Sequence, residues 1–265
     1  MLVHILIVLL GLLMASRNAA ATENGTTSYP SGGDDFLVAA MPPPGWYGIA
    51  YANHYHTGHF DVNALALRVD WVKPVSILGA DRWGTLVILP LLDIDSRHGV
   101  GDLTVGNGLH WTFERYHALL AADVVAPSGK FTRNQWVLRL NHMGTWFPAE
   151  RWEFSYRLHT DINFRNRDTD YRSGRTVYLD VAAGWKPTPA TTAGIAAYAL
   201  QQVSDDERHG ARVGDGNRLA VRGIGPVVKH FFANGAFVAA SAYRESGARN
   251  GPRGDNVWLY VGKGF

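Results

Sequence analysis

Between residues 152 and 164 the chain alternates without a break between two kinds of side chain. Trp152, Phe154, Tyr156, Leu158, Thr160, Ile162 and Phe164 form one set; Glu153, Ser155, Arg157, His159, Asp161 and Asn163 form the other. A period of two places the two sets on opposite faces of a β-strand. Strands of ordinary sheets run to about 5 or 6 residues. A tilted strand crossing a bilayer needs roughly 9 to 11, apolar toward lipid and polar toward the lumen. A soluble antiparallel sheet with one wet face also alternates. Its apolar face, however, would bury aromatic groups at both ends of the strand, where indole and phenol polar atoms need partners. At a membrane surface those atoms reach water. The stretch predicts an all-β fold, a transmembrane antiparallel up-and-down β-barrel.

The first residues set the compartment. Residues 2–14 are almost wholly apolar, broken only by His4 and Gly11, and are followed by Ser16, Arg17, Asn18 and the alanines Ala19, Ala20 and Ala21. The run is too short for a membrane helix and reads as a secretory signal peptide over 1–21, although the usual basic residues ahead of it are missing. No later segment approaches about 18 apolar residues, so an exported chain with membrane character must cross as strands. Residues 22–45 carry Gly25, Pro30, Gly32 and Gly33 and then Pro42, Pro43 and Pro44, which a ladder strand does not tolerate. They form an extended segment, either in the periplasm or folded into the lumen. The barrel is expected over 46–265.

Twelve candidate strands follow: 46–56, 60–72, 82–92, 101–113, 116–126, 134–144, 151–164, 173–186, 192–204, 218–230, 234–245 and 255–265. Barrels of this kind have short periplasmic turns and longer polar loops outside. Starting the first strand from the periplasm puts the charge-rich stretches 93–100, 127–133, 165–172, 205–217 and 246–254 in the outer loops. Two inner connections, 75–81 and 145–150, come out longer than expected. With that topology Trp71, Trp83, Trp111, Trp152 and Trp185 all fall near the periplasmic ends of their strands, as an aromatic girdle would. The chain closes on Val257, Leu259, Val261, Lys263 and Phe265 on one face, and Phe265 has the look of the terminal aromatic signal read by the outer membrane assembly machinery.

Several short pieces in order then resemble a known family. They are Met41-Pro42-Pro43-Pro44-Gly45-Trp46-Tyr47, Gly101-Asp102-Leu103-Thr104-Val105-Gly106, Thr169-Asp170-Tyr171-Arg172-Ser173-Gly174, Gln201-Gln202 with Asp205-Asp206, Gly223-Ile224-Gly225-Pro226 and Gly247-Ala248-Arg249-Asn250. Together they are similar to the outer membrane family associated with the meta-cleavage pathway of phenol degradation. The resemblance implies a small monomeric channel in the outer membrane lipids, of about twelve strands, serving uptake of small organic solutes. It brings no catalytic residues and no cofactor.

Charge and side-chain chemistry narrow the classes further. The chain has no cysteine, which excludes disulfides and thiolate chemistry, and its formal charge of +2 gives no basic surface for nucleic acid. His54, His56 and His59 are the best candidate metal group, the first two sharing a strand face, and read more simply as interfacial or loop residues. A barrel enzyme of lipase or protease type would need a serine within hydrogen-bond reach of a histidine. Ser155 and His159 share a face but stand about 13 Å apart along a strand. An adhesive barrel, binding through the loop 205–217, is the third class. The expected lumen residues are Arg68, Arg139, Arg157, His159, Asp180 and Arg222, with Arg157 and Asp180 close enough to pair. They predict a positive constriction and mild anion preference.

Overall fold

The computed structural model describes residues 21–265 except Thr26, Arg133 and Asp215; the expected signal peptide lies outside the described residues but for Ala21. Twelve strands form the wall: β1 Gly45–Thr57, β2 Asp61–Ile77, β3 Ala80–Ile94, β4 Leu103–Thr112, β5 Tyr116–Ala126 and β6 Val137–Ala149, then β7 Trp152–Asn163, β8 Thr176–Thr188, β9 Thr191–Gln202, β10 Ala220–Phe231, β11 Phe237–Arg249 and β12 Gly254–Gly264. Each pairs antiparallel with its neighbours in sequence, and β12 pairs with β1, with Tyr47 opposite Gly264 and Thr57 opposite Gly254. A closed sheet has no free edge, so every ladder group of the wall finds its partner without water. No helix among the described residues is long and apolar enough to cross a membrane.

The alternation of 152–164 is realised residue for residue in β7. Trp152, Phe154 and Leu158 point outward and are exposed, while Glu153, Ser155, Arg157, His159 and Asp161 are buried inside. The same division runs round the wall: Leu65, Leu89, Val124, Leu140, Val181 and Leu259 lie on the outer face. Large apolar side chains therefore cover the outer face in a belt, the reverse of a soluble sandwich, while a smaller cluster of Phe36, Ala182, Tyr198, Val227, Tyr243 and Trp258 packs inside.

One end of the barrel carries short turns. The long inner connections expected at 75–81 and 145–150 are strand instead, because β2 runs on to Ile77 and β6 to Ala149, each past a bulge. Leu78 and Gly79 then make the β2–β3 turn, both with positive φ, the conformation that fits the twist of a two-residue hairpin. At the other end the connections are longer. Tyr171–Arg172, Asp206–Arg208 and Ala211–Val213 form a small three-stranded crown there, and Arg97–Val100 adds a short strand to β3.

Seven tryptophans, Trp46, Trp71, Trp83, Trp111, Trp146, Trp152 and Trp185, lie at the turn end, while Trp136 and Phe164 are exposed at the loop end. Trp71 stacks on Trp46 across β1 and β2, with ring centroids 5.4 Å apart and planes 5° from parallel. Trp152 stands opposite Trp185. Trp83 donates to Asn107 Oδ1, and Trp111 donates to the Leu78 carbonyl. Lys73 extends its ammonium over the Trp71 ring at 4.2 Å. Trp46 and Trp146, not singled out in the sequence, belong to the same band. Phe265 lies just past β12 at this end, exposed, with its N–H bonded to the Trp46 carbonyl.

Two lumen expectations need correction. Arg222 is on the outer face, because β10 turns Gly223, Val227 and Lys229 inward and Arg222, Ile224 and Val228 outward. The run Gly223-Ile224-Gly225-Pro226 carries too few side chains to fix a phase, and the β10–β11 ladder shifts between Ala220 and Arg222. The expected pairing of Arg157 with Asp180 also fails. Their backbones are directly opposite, yet Arg157 reaches Asp34 Oδ2 at 2.8 Å.

Candidate functional site in the barrel lumen

The N-terminal segment, whose position the sequence left open, threads the lumen from the loop end to the turn end. A chain without a ladder must satisfy its backbone elsewhere, and the inner wall supplies the acceptors. Thr22 donates its N–H to Asp206 Oδ2 at 2.7 Å in the crown, where Asp206 also accepts from Tyr171, Gly174 and Gln202. Glu23 accepts from Asn166 and Thr169. Farther in, Gly32 N–H donates to Asp180, Leu37 N–H to Glu153 and Ser155, and Ala39 N–H to Thr145. The Ser31 carbonyl accepts from Asn256 and Trp258, and Arg82 donates to the Met41 carbonyl as the segment leaves toward β1.

Side chains lock the segment in place. Phe36 is 1 % exposed and lies over Gly184, where an added Cβ would come within 2.4 Å of its ring. Gly32 adopts φ +81 with the Tyr198 and Tyr243 rings against it, so both conformation and space require glycine there. Asp35 Oδ1 meets Lys229 Nζ at 2.6 Å, and the same ammonium donates to the Phe36 carbonyl at 2.5 Å. Lys229 is a lumen cation that the sequence reading missed. Its only signal was the phase of β10.

Around Tyr29 the wall gathers its remaining charge. Arg139 makes a two-pronged pair with Asp161, at 2.7 and 3.0 Å, and also donates to Ser28. Arg157 holds Asp34 and both oxygen-bearing neighbours on β5 and β6, Asp123 and Asn141. Both guanidiniums lie against the Tyr29 ring, at 4.8 and 5.0 Å. His159 is fully enclosed between Tyr29 and Tyr178, at 4.4 and 4.3 Å, and neither ring nitrogen has a hydrogen-bond partner. Arg68 pairs with Asp70 at 2.9 Å and reaches the Tyr51 hydroxyl.

This inventory overturns the expected positive constriction. Arg68, Arg82, Arg139, Arg157 and Lys229 face Asp34, Asp35, Asp70, Asp123, Asp161, Asp180, Glu153 and Glu245, so carboxylates outnumber cations. The segment itself contributes two of them, Asp34 and Asp35. The void between Ser28, Asp161, Asn163 and Tyr178 is too small for a water molecule. A larger cavity, about 690 Å³, lies on the wall where β12, β1, β2 and β3 approach the loop end, lined by the outward Leu65, Leu91, Val257 and Leu259.

The alternative chemistries weighed from the sequence are not assembled among the described residues. His54 bonds Asn63 and His56 bonds Asp61 on the outer surface, and no group of three metal-binding side chains converges among the described residues. Ser155 Oγ bonds Glu153 and Thr145, with no bond to His159. In the crown, hydrogen bonds from Arg165 and Arg218 hold the Asp170 and Asp205 carboxyls below the usual carboxylate range. These pairs stiffen the loop surface without closing a catalytic constellation.

Comparison with known proteins agrees with this architecture. The family described as "Putative MetA-pathway of phenol degradation" matches residues 30–261. Among solved structures, an outer membrane channel of the COG4313 group from Pseudomonas putida F1 superposes with a TM-score of 0.74 at 16% identity, covering 89% of this chain and 100% of that one. The NanC porin gives 0.52 at 9% identity over 82% of this chain and 100% of the porin. The β domain of the Bordetella autotransporter BrkA gives 0.53 at 12% identity over 83% and 99%. At these identities the likeness is one of fold, that of outer membrane β-barrels. No protein of curated function matches the chain.

Proposed function

The chain belongs to this phenol-degradation family of outer membrane barrels, and from that premise we propose that it is a monomeric channel for passive uptake of small organic solutes, aromatic or otherwise weakly polar. The observation that carries the reading is how the lumen is closed. Between Ser28 and Met41 the segment is bonded to wall side chains and makes no ladder, so it can shift without opening the barrel. The turn end would face the periplasm and the crown the exterior. The cavity of about 690 Å³ on the wall gives a membrane-dissolved apolar solute a first resting place. The mature chain would begin near Thr22, and no cofactor is needed.

Carboxylates outnumber cations in the lumen, so the small ion current should prefer cations, because fixed charge raises the local concentration of its counter-ion. In planar bilayers we expect low conductance, a cation-selective reversal potential in a salt gradient, and current interruptions from neutral monocyclic aromatic solutes but none from a hexose of similar size. Interruptions by the hexose alone would overturn the solute class. For Phe265 we propose the role of an assembly signal at the outward side of the last strand. Deleting it should lower the amount of heat-modifiable barrel without changing secretion, and normal assembly of the truncated chain would remove that role.

A further inference from the structure

Arg222 belongs to a group. The β10–β11 register sets Arg222 opposite Ser246, Ile224 opposite Arg244 and Ala220 opposite Arg249, so three guanidiniums occupy successive outward steps near the loop end. Diagonal neighbours on a sheet lie about 7–8 Å apart, a spacing that one phosphate group can bridge. The Arg222 guanidinium lies across Gly247, where an added Cβ would meet Nε at 3.0 Å and Nη2 at 3.1 Å. Arg249 is steered toward β9 by a 3.2 Å bond to Gln201 Oε1. Unlike Arg139, Arg157 and Arg218, none of the three is in an ion pair among the described residues. Asp255 stands opposite Arg244, with His56 beyond it, so the patch sets three guanidiniums against one carboxylate.

What lies below them decides the occupant. A charge on the outer face is tolerated only near the membrane interface, and directly inward of the arginines the wall is apolar. Ile195 and Ile224, each 59% exposed, stand among the small side chains Ala197, Ala199 and Ala242, which leaves a shallow apolar trough. Guanidiniums match phosphate oxygens with paired N–H donors. We propose that this surface binds the phosphorylated headgroup of a lipid in the leaflet at the loop end, with an acyl chain lying along Ile195 and Ile224. The site rests on the outer membrane reading only for which leaflet supplies the lipid.

The test is native mass spectrometry of the full chain in detergent with bisphosphorylated lipid A, the same lipid dephosphorylated, and inorganic phosphate as competitor. The wild type should retain the phosphorylated lipid about tenfold better than its dephosphorylated form, and Arg222→Ala/Arg244→Ala/Arg249→Ala should lose that preference. A triple lysine variant, which keeps the charge, serves if the alanine variant assembles poorly and should retain part of it. Arg212→Ala in the crown should leave it unchanged. Equal retention of both lipids, an unaltered alanine variant, or displacement by millimolar inorganic phosphate would overturn the proposal. Conductance does not enter these measurements, so their failure leaves the channel reading standing on its own tests.

Discussion

Removing residues 27–41 should raise the single-channel conductance by at least about tenfold while the barrel still assembles, because a wall of twelve strands encloses more space than the roughly eight that side chains alone fill. The wall closes through its own ladders, including β12 with β1, and none of these uses the segment. What the segment leaves behind is lined by Asp161, Asp180, Glu153, Arg139 and Arg157, groups that hold water rather than a dry cavity. Planar-bilayer recordings on heat-modifiable protein give the answer. An assembled deletion variant that conducts like the wild type would show that the wall side chains, and not the segment, close the lumen.

The second large effect is expected at Lys229. Replacing it with methionine leaves the Asp35 carboxylate, 5 % exposed, without its ion partner, and breaking a buried pair from one side costs about 3–5 kcal/mol. The segment should then loosen, since the same ammonium also holds the Phe36 carbonyl and sits over the Phe237 and Tyr260 rings. Adding Asp35→Leu to Lys229→Met should recover most of the loss, because an apolar pair of similar volume has no charge left to desolvate. Protease sensitivity of the segment in folded protein measures both variants. If the single variant is as resistant as the wild type, the pair does not anchor the segment.

The wall was largely readable from the chain, and for a definite reason. In β7 every inward residue is polar and the outward ones are mostly large and apolar, so the two-residue period appears with its phase attached. Where side chains vanish the phase vanishes too. Gly223, Gly225 and Pro226 give β10 no face to read, and a one-residue error there placed Arg222 inside and left Lys229 outside. The path of the segment was not readable at all. Nothing periodic marks Asp34, Asp35 or Phe36, and their partners Arg157, Lys229 and Gly184 lie more than a hundred residues away. The sign of the lumen charge failed only partly for that reason: Asp34 and Asp35 arrive on the segment, but Arg222 had been counted inside and the carboxylates of the wall alone already outnumber its cations. Arg157 lies inside the wall, yet register alone pointed it to Asp180, while a closer carboxylate came from a part of the chain with no register.

The bond from Thr22 to Asp206 at one end, and from Arg82 to the Met41 carbonyl at the other, also constrains the order of assembly. The segment is continuous with β1, one side of the seam that β12 must close. Were the seam to close first, the leading end would have to travel the whole length of a narrow tube, carrying Phe36 past the Tyr198 and Tyr243 rings. Laid down while the sheet is still open, it meets no such obstacle. On that order the last pairing, β12 with β1, encloses a segment already lying along the inner wall.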